Sequence, residues 1–228
     1  MEKLSKISKL FNKIYYNIFV ENFKGKLEYN FPSDYYRWDL IKYLINKYNY
    51  IDYLEIGCDQ DENFSRIKIQ NKIGVDPKSG GTHRMTSDVF FENNSNKFDL
   101  IFLDGLHTYE QTIKDIKNAI QCIQNEGVIL VHDCLPKKIW NQIVPRIYGH
   151  WNGDVWKAIV EARTYNYIET FTCIADHGLG VILKKKNSKV LNTKIKDFKN
   201  LRFSDYYKHH KDFMNTITYE QLKKIIQN

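Results

Sequence analysis

The sequence predicts an α/β protein built on a doubly wound, mostly parallel β-sheet with helices on both faces. Two unbroken apolar runs, "LIFL" at 100–103 and "GVILV" at 127–131, are typical of strands buried in the middle of a parallel sheet. The segment between them has apolar residues at helical spacing, as expected for the crossover that joins two parallel strands.

The elements before these runs continue the same pattern. "IDYLEIG" is an apolar strand that ends at Gly57, and "NKIGVDP" is a second short strand that ends at Asp76. The chain before them is predicted to be helical, with Ser33 or Asp34 capping a helix that serves as a lid or packing element. The apolar stripe of that helix consists of Leu40, Ile41, Leu44 and Ile45.

Two further helices and a pair of strands complete the predicted core. Ser87 or Asp88 is expected to cap a short helix, and Thr108 with Gln111 fits the capping-box pattern of a longer helix that continues to Gly127. "YNYIETFTCIAD" and "GLGVILKKK" are predicted as an antiparallel pair that closes the edge of the sheet.

These elements are expected to form one domain over residues 1–228. It comprises a helical N-terminal extension or lid (1–50), the α/β core (51–186) and a basic, aromatic tail with helical pieces (187–228). The length allows one large core, and the sequence gives no sign of a second.

The composition limits the classes of function. The net charge of +7 is spread over a chain rich in Lys, Asn, Ile and Tyr, so it is weak evidence for a nucleic-acid or membrane partner. The apolar stretch after Lys13 is too short to span a bilayer, and no small-residue cleavage site follows it. The cysteines, which lie far apart without a CxxC pair, predict reduced thiols and no zinc ribbon: Cys58, Cys122, Cys134 and Cys173. A soluble, cytoplasmic protein is expected.

Polar residues end four of the predicted strands: Glu55 with Gly57, Asp76, Asp104 and Asp133. In open parallel sheets, ligands bind beyond the carboxyl ends of the strands. Asp76 lies about 20 residues past Gly57, the position from which a carboxylate can accept both hydroxyls of a ribose. An adenosine-like ligand is therefore expected.

The loop that begins at Gly57 distinguishes two cofactor classes. A dinucleotide places its pyrophosphate at a helix N-terminus and requires a GxGxxG sequence. Here the loop reads "GCDQDE", with one glycine and three acids that would repel a phosphate. A cationic ligand without phosphate, such as S-adenosylmethionine, fits this loop better.

The motifs "YLEIGC", "GVDP", "FDLIFLDGLHTYE" and "GVILVHDC" resemble, in order and spacing, those of the class I S-adenosylmethionine-dependent methyltransferases, which have a Rossmann-like fold. Within that class the chain resembles small bacterial O-methyltransferases of surface-polysaccharide and antibiotic-sugar pathways, related to the catechol O-methyltransferase type. The resemblance covers roughly Tyr53 to Lys184, and "GGTHRMTSD" and "WNGDVWKAI" also match polysaccharide-associated members. Of the fuller E-x-G-x-G-x-G motif, only Glu55 and Gly57 are present.

The resemblance implies a set of cofactor-binding residues. Glu55 would contact the amino group of the methionine part, Gly57 would lie against the ligand, and Asp76 would bind the ribose. Ser87 or Asp88 would bind the adenine edge, with a plain helix cap as the alternative for either residue.

Asp104 and Asp133 end strands that the crossover should make neighbours. Two carboxylates at so short a distance cannot both be ionised without a large energetic cost. Either one of them holds a proton, or a positively charged group lies between them. The resemblance implies a divalent metal ion, such as magnesium, held by Asp104 and Asp133. Cys134 stands where the metal-dependent relatives have a second acid, and magnesium prefers oxygen to thiolate ligands.

His107 follows Asp104 by three residues. The resemblance implies that it is the general base that removes the acceptor's proton, a role worth on the order of 10² to 10⁴ in rate. A surface or core histidine without catalytic function is the alternative. His132 is expected to be buried and to orient Asp133, with a role as a ligand or base as the alternative.

The resemblance also implies the acceptor, a hydroxyl of a sugar, nucleotide-sugar or surface glycan. Residues suited to contact it are His83, Arg84, Trp151, Asn152, Asp154, Trp156 and Lys157. For each tryptophan, packing of the lid against the sheet is the alternative. Three alternatives remain open: an RNA or DNA methyltransferase, a non-catalytic S-adenosylmethionine-binding protein and, more distantly, an NAD-dependent dehydrogenase. Homodimerisation through the N-terminal helices also remains open.

Overall fold

A seven-stranded sheet forms the centre of the protein in a computed structural model that describes residues 5–147 and 149–226. The outermost parts of the two predicted extensions, residues 1–4 and 227–228, lie outside the described residues. The strands are β1 (Asp52–Ile56), β2 (Asn71–Val75), β3 (Phe98–Leu103), β4 (Ile123–Val131), β5 (Glu169–Cys173), β6 (Leu179–Leu183) and β7 (Thr216–Ile217).

The strand order is β2-β1-β3-β4-β6-β5-β7. Strands β1 to β4 pair in parallel, β6 is antiparallel to both β4 and β5, and β7 is parallel to β5. The predicted mostly parallel, doubly wound sheet is confirmed. The predicted β5–β6 pair is present, but the short strand β7, which the sequence did not reveal, lies at the edge beside it.

The helices are α1 (Lys6–Tyr15), α2 (Arg37–Tyr48), α3 (Ser87–Asn93), α4 (Tyr109–Cys122), α5 (Ile139–Gln142), α6 (Val155–Ala162), α7 (Phe203–Met214) and α8 (Tyr219–Ile225). Residues of α4, α6 and α7 belong to one buried apolar cluster, and residues of α2 and α8 belong to a second. The sheet contributes side chains to both clusters, so helices cover both of its faces. Within the described residues, none of the helices combines the length and the apolar character needed to cross a membrane.

Helix α2 begins later than predicted. Its N-cap is Tyr36, whose backbone N–H donates to Asp39 Oδ2 (3.0 Å), so neither Ser33 nor Asp34 caps it. The carboxylate inside the first turn thus replaces a cap from the preceding loop. The predicted apolar stripe is fully buried: Leu40, Ile41, Leu44 and Ile45.

Helix α3 is capped by Thr86 rather than by Ser87 or Asp88. The Thr86 hydroxyl accepts from the backbone N–H of Val89 (3.4 Å). A side-chain oxygen at any of three successive positions, Thr86, Ser87 or Asp88, could have supplied this bond, and the sequence pattern does not distinguish them. The side chains of Ser87 and Asp88 are therefore available for other contacts.

Helix α4 has the predicted cap, Thr108, which accepts from the Gln111 N–H (3.4 Å). It ends at Cys122 and not at Gly127, because β4 begins at once with Ile123. Gly127 lies inside β4, where a Cβ would come within 2.7 Å of the Asp99 carbonyl oxygen. Close packing of two strands, rather than a helix end, explains that glycine.

Candidate active site

The parallel register brings the predicted polar strand ends together. Ile56, the last residue of β1, pairs with Val75 of β2 and with Leu103 of β3, and Leu103 pairs with Val131 of β4. The residues that follow these strands therefore meet at one edge of the sheet. This edge is where ligands bind in open parallel sheets.

Gly57 allows β1 and β3 to approach closely at this edge. Its φ is +90°, and a Cβ at this position would lie 2.1 Å from the Asp104 carbonyl oxygen. No other residue fits without separating the two strand ends. The structure thus gives Gly57 a packing role, and its contact with the cofactor stays a prediction.

Glu55 is buried beneath the edge. Its Oε2 accepts from the Tyr53 hydroxyl (2.6 Å) and from Asn63 Nδ2 (2.8 Å). Burial raises the pKa of Glu55 to about 7, although both hydrogen bonds oppose this shift. The carboxyl group therefore keeps its proton to a higher pH than an exposed glutamate does.

Asp76 ties the loops after β1 and β2 together. Its Oδ2 accepts from the Asp59 N–H (3.0 Å), and its Oδ1 accepts from the N–H groups of Lys78 (2.7 Å) and Ser79 (3.0 Å). In the same way, Asp61 Oδ1 accepts from the Gly81 N–H (2.7 Å). These acids order backbone donors around the expected cofactor pocket, and ribose binding by Asp76 would use the remaining lone pairs of the same oxygens.

Ser87 and Asp88 meet helix α4 through Gln111. Gln111 Nε2 lies 3.1 Å from Ser87 Oγ, 2.9 Å from Asp88 Oδ1 and 3.0 Å from Asp115 Oδ1. Asp88 also pairs with Lys114 at 2.6 Å. The two residues thus belong to a polar cluster between α3 and α4, and their contact with adenine stays a prediction.

His107 lies between the two predicted neighbouring carboxylates. Its Nε2 is 3.2 Å from Asp104 Oδ1, and its Nδ1 is 3.3 Å from Asp133 Oδ2. The Nδ1 atom is buried and has no partner in hydrogen-bond geometry. The positive partner that the two carboxylates require can therefore be the imidazole itself.

Burial lowers the pKa of His107, but the hydrogen bond to Asp104 and the charges of Asp104 and Asp133 outweigh it, so the net shift is upward. The pKa of Asp104 is lowered despite burial, because it faces His132 and His107. Asp133 adopts a left-handed backbone conformation (φ 59°). Such strain in a residue other than glycine is concentrated at functional sites.

His132 differs from its predicted role. It is buried as expected, but its Nδ1 hydrogen-bonds Asp104 Oδ1 (3.1 Å) and lies farther, 3.8 Å, from Asp133 Oδ2. It therefore orients Asp104 rather than Asp133. The reason is the register of β3 and β4, in which the His132 N–H donates to the Leu103 carbonyl and the ring lies next to Asp104.

Two residues that the sequence did not single out extend this network. Asp176 Oδ2 lies 3.7 Å from His132 Nε2 and accepts from both the backbone N–H (2.9 Å) and Nη1 (3.1 Å) of Arg37. Their separation by 139 residues leaves no local signal of the pairing.

Asn152 fixes the second carboxylate. It is fully buried, and its Nδ2 donates to Asp133 Oδ1 (2.9 Å). Trp151 stacks on His107 with ring centroids 5.2 Å apart and planes at 10°. The loop before α6 thus holds His107 and Asp133 in place, and Trp151 presents a flat aromatic surface next to them.

The other predicted acceptor contacts are engaged elsewhere. Trp156 is fully buried against Tyr206, and Lys157 Nζ donates to the Lys199 carbonyl (2.7 Å). Asp154 accepts from the N–H of Tyr109 (2.7 Å). Trp156 has no exposed surface, so its assignment to the acceptor was wrong, whereas acceptor contacts of Asp154 and Lys157 stay predictions.

His83 and Arg84 belong to the loop after β2. Arg84 Nη1 donates to the Asp76 carbonyl (3.1 Å), and His83 Nδ1 lies 2.8 Å from Thr82 Oγ1. Both contacts lie beside the expected ribose position rather than beside His107.

Asp104, His107 and Asp133 could hold a metal ion. One potential ligand atom from each lies within 4.8 Å of the others, and no comparable group of three occurs among residues 5–147 and 149–226. Cys134 is not an additional ligand, because its buried thiol points to the Val131 carbonyl (3.2 Å) and burial raises its pKa. The two carboxylates supply the oxygen ligands that a divalent cation such as magnesium prefers.

Residues 54–134 match the family model described as a methyltransferase domain. A search of the curated proteins finds none that matches the chain. The structure is similar to that of TomG from Streptomyces achromogenes, an O-methyltransferase of tomaymycin synthesis solved with S-adenosylmethionine (TM-score 0.50, 8% identity, 80% of this chain and 100% of that one). It is also similar to a proposed caffeoyl-CoA O-methyltransferase from Staphylococcus aureus (TM-score 0.50, 16% identity, 79% and 93%). At these identities the structural likeness shows a shared fold.

Proposed function

We propose that this chain, a class I S-adenosylmethionine-dependent O-methyltransferase, methylates a hydroxyl group of a sugar, a nucleotide-sugar or a surface glycan. One observation carries the assignment of the reaction site. His107 lies between Asp104 and Asp133 at the cofactor edge of the sheet, with one buried ring nitrogen that lacks a hydrogen-bond partner.

The cofactor, when bound, supplies a methyl group on a positively charged sulfur. In the proposed reaction the acceptor oxygen forms a bond to the methyl carbon while the carbon–sulfur bond breaks, and the hydroxyl proton leaves for His107. Asp104 accepts the Nε2–H of His107 and so fixes the tautomer in which Nδ1 carries the lone pair. Nδ1 is therefore the atom that receives the proton.

The surrounding residues hold this geometry. Trp151 stacks on the imidazole and limits its rotation, and Asn152 holds Asp133 through Oδ1. His132 keeps Asp104 in place from the opposite side. Positioning of this kind converts an encounter into a reactive complex and supplies much of the rate.

A divalent ion, with magnesium as the first choice, would be held by Asp104 and Asp133. It would lower the pKa of the acceptor hydroxyl. We expect EDTA to abolish turnover and magnesium to restore it, and Asp133→Asn to be inactive at any magnesium concentration. Turnover that survives both EDTA and Asp133→Asn would show that the cation between the carboxylates is the imidazolium of His107 alone.

The sugar acceptor is supported by two features. Trp151 presents an aromatic face beside the proposed base, and apolar sugar faces stack well on aromatic rings. The segments "GGTHRMTSD" and "WNGDVWKAI" resemble those of polysaccharide-associated enzymes. The test is to incubate the protein with S-adenosylmethionine and a panel of sugars, nucleotide-sugars, catechols and RNA, and to follow S-adenosylhomocysteine. Turnover with catechols or RNA but with no sugar would refute the proposed acceptor.

We also predict a pH dependence of cofactor affinity from Glu55. Burial raises its pKa to about 7, and a nearby ammonium favours the ionised carboxylate. Affinity for S-adenosylmethionine should therefore increase from pH 6 to about 7.5, below the range in which an α-amino group loses its proton. Calorimetric titration should show this increase in the wild-type protein and a flat profile in Glu55→Gln. The same increase in the variant would mean that Glu55 does not contact the amino group.

A further inference from the structure

The N-terminal helix exposes its apolar face. Helix α1 and the π-helical turn that continues it (Tyr16–Val20) carry exposed large apolar side chains: Ile7, Leu10, Phe11, Ile14, Tyr15, Ile18, Phe19 and Val20. Phe11 is 68% exposed and Phe19 is 71% exposed. Contiguous apolar surface of this kind marks an interaction site.

The helix packs on the protein through its polar side, which is the reverse of an ordinary surface helix. The Tyr16 hydroxyl accepts from Gln142 Nε2 (2.8 Å), and Lys13 Nζ lies 5.6 Å from the centre of the Trp140 ring. Ser8, Lys9 and Asn12, on the same side, are partly buried. Folding of the described chain therefore leaves this apolar face uncovered.

The charge of the segment indicates what covers the apolar face. Residues 5–20 contain three lysines, Lys6, Lys9 and Lys13, and no acid. The next acid, Glu21, is buried and accepts from the N–H groups of Phe203 (2.8 Å) and Ser204 (2.7 Å) at the start of α7. It is thus not available to neutralise the lysines.

We propose that this segment binds the surface of an anionic lipid bilayer, with its apolar side chains inserted at the headgroup level. Lysines beside an apolar stripe of aliphatic and aromatic residues are typical of helices that lie in a membrane interface. A second copy of the chain fits less well, because two copies of residues 5–20 carry six lysines and no acid, so neither segment offers the other a counter-charge. Anionic headgroups supply the missing counter-charge.

The test is flotation of the full-length protein with lipid vesicles. The wild-type protein should float with vesicles that contain phosphatidylglycerol and much less with pure phosphatidylcholine, and added salt should weaken binding. Phe11→Asp should reduce the bound fraction about tenfold, because it removes a large apolar side chain and adds a charge. The matched control is Tyr167→Asp, which changes an exposed aromatic residue (53% exposed) outside the helix and should float like the wild type.

Sedimentation equilibrium and cofactor binding complete the test. Phe11→Asp should bind S-adenosylmethionine with wild-type affinity, and this binding would show that the variant is folded. Neither flotation nor cofactor binding involves the methyl acceptor, so the test does not depend on the proposed acceptor. Absence of wild-type flotation with anionic vesicles, or equal flotation of Phe11→Asp, would overturn the proposal. If the wild-type protein is a dimer that does not bind lipid, and Phe11→Asp is a monomer, the apolar face binds a second copy of the chain. That result would also overturn the proposal.

Discussion

Replacing His107 with glutamine should lower kcat by about 10² to 10⁴ while leaving the affinity for S-adenosylmethionine unchanged. Glutamine can still hydrogen-bond Asp104, but it cannot accept a proton from the acceptor hydroxyl. Rates of S-adenosylhomocysteine formation and calorimetric titration of the cofactor would measure the two quantities separately.

The matched control is His209→Gln, since His209 is an exposed histidine on α7 outside the Asp104–His107–Asp133 cluster. It should behave like the wild-type protein. The wild-type kcat/KM should also rise with pH above the usual imidazole range, because the flanking carboxylates raise the pKa of His107 and the base must be neutral. A His107→Gln variant that keeps about a tenth of the activity or more would remove His107 from the mechanism.

Replacing Gly57 with alanine should decrease the free energy of unfolding by about 2 to 4 kcal/mol and weaken cofactor binding. The added Cβ would lie 2.1 Å from the Asp104 carbonyl oxygen, and φ at this position is +90°. Relief of this clash requires β1 and β3 to separate at the edge where we expect the cofactor to bind. Urea unfolding and calorimetric titration would measure both effects.

Gly149→Ala is the control for this substitution. A Cβ at Gly149 would meet no atom within 4 Å, so its effect on the free energy of unfolding should stay within about 0.5 kcal/mol. If Gly57→Ala were equally mild, the close approach of β1 and β3 would not limit stability, and the packing role assigned to Gly57 would be wrong.

The strands and their polar ends could be predicted from the sequence because both signals are local. A run such as Leu100–Leu103 is apolar on both faces only when a strand is buried on both faces. Parallel register then places the residue after each strand at the same edge, which is why Asp104 and Asp133 were expected to be neighbours. His107 lies between the two carboxylates, where such a pair requires a positive partner.

Helix ends and distant partners could not be predicted in the same way. Thr86, Ser87 and Asp88 are all good caps, and only packing against α4 selects Thr86. Arg37 and Asp176 come into contact through the tertiary fold, and no local sequence pattern predicts this contact. For the same reason, Trp156 was assigned to the acceptor although its ring packs on Tyr206 in the core.

A crystal structure of the protein with S-adenosylhomocysteine would test the central claim most directly. The claim predicts that the ribose hydroxyls contact Asp76 and that the sulfur lies above Gly57 and Asp104, on the side where His107 Nδ1 faces Asp133. A product bound away from this edge, or with Asp76 turned from the ribose, would contradict the account.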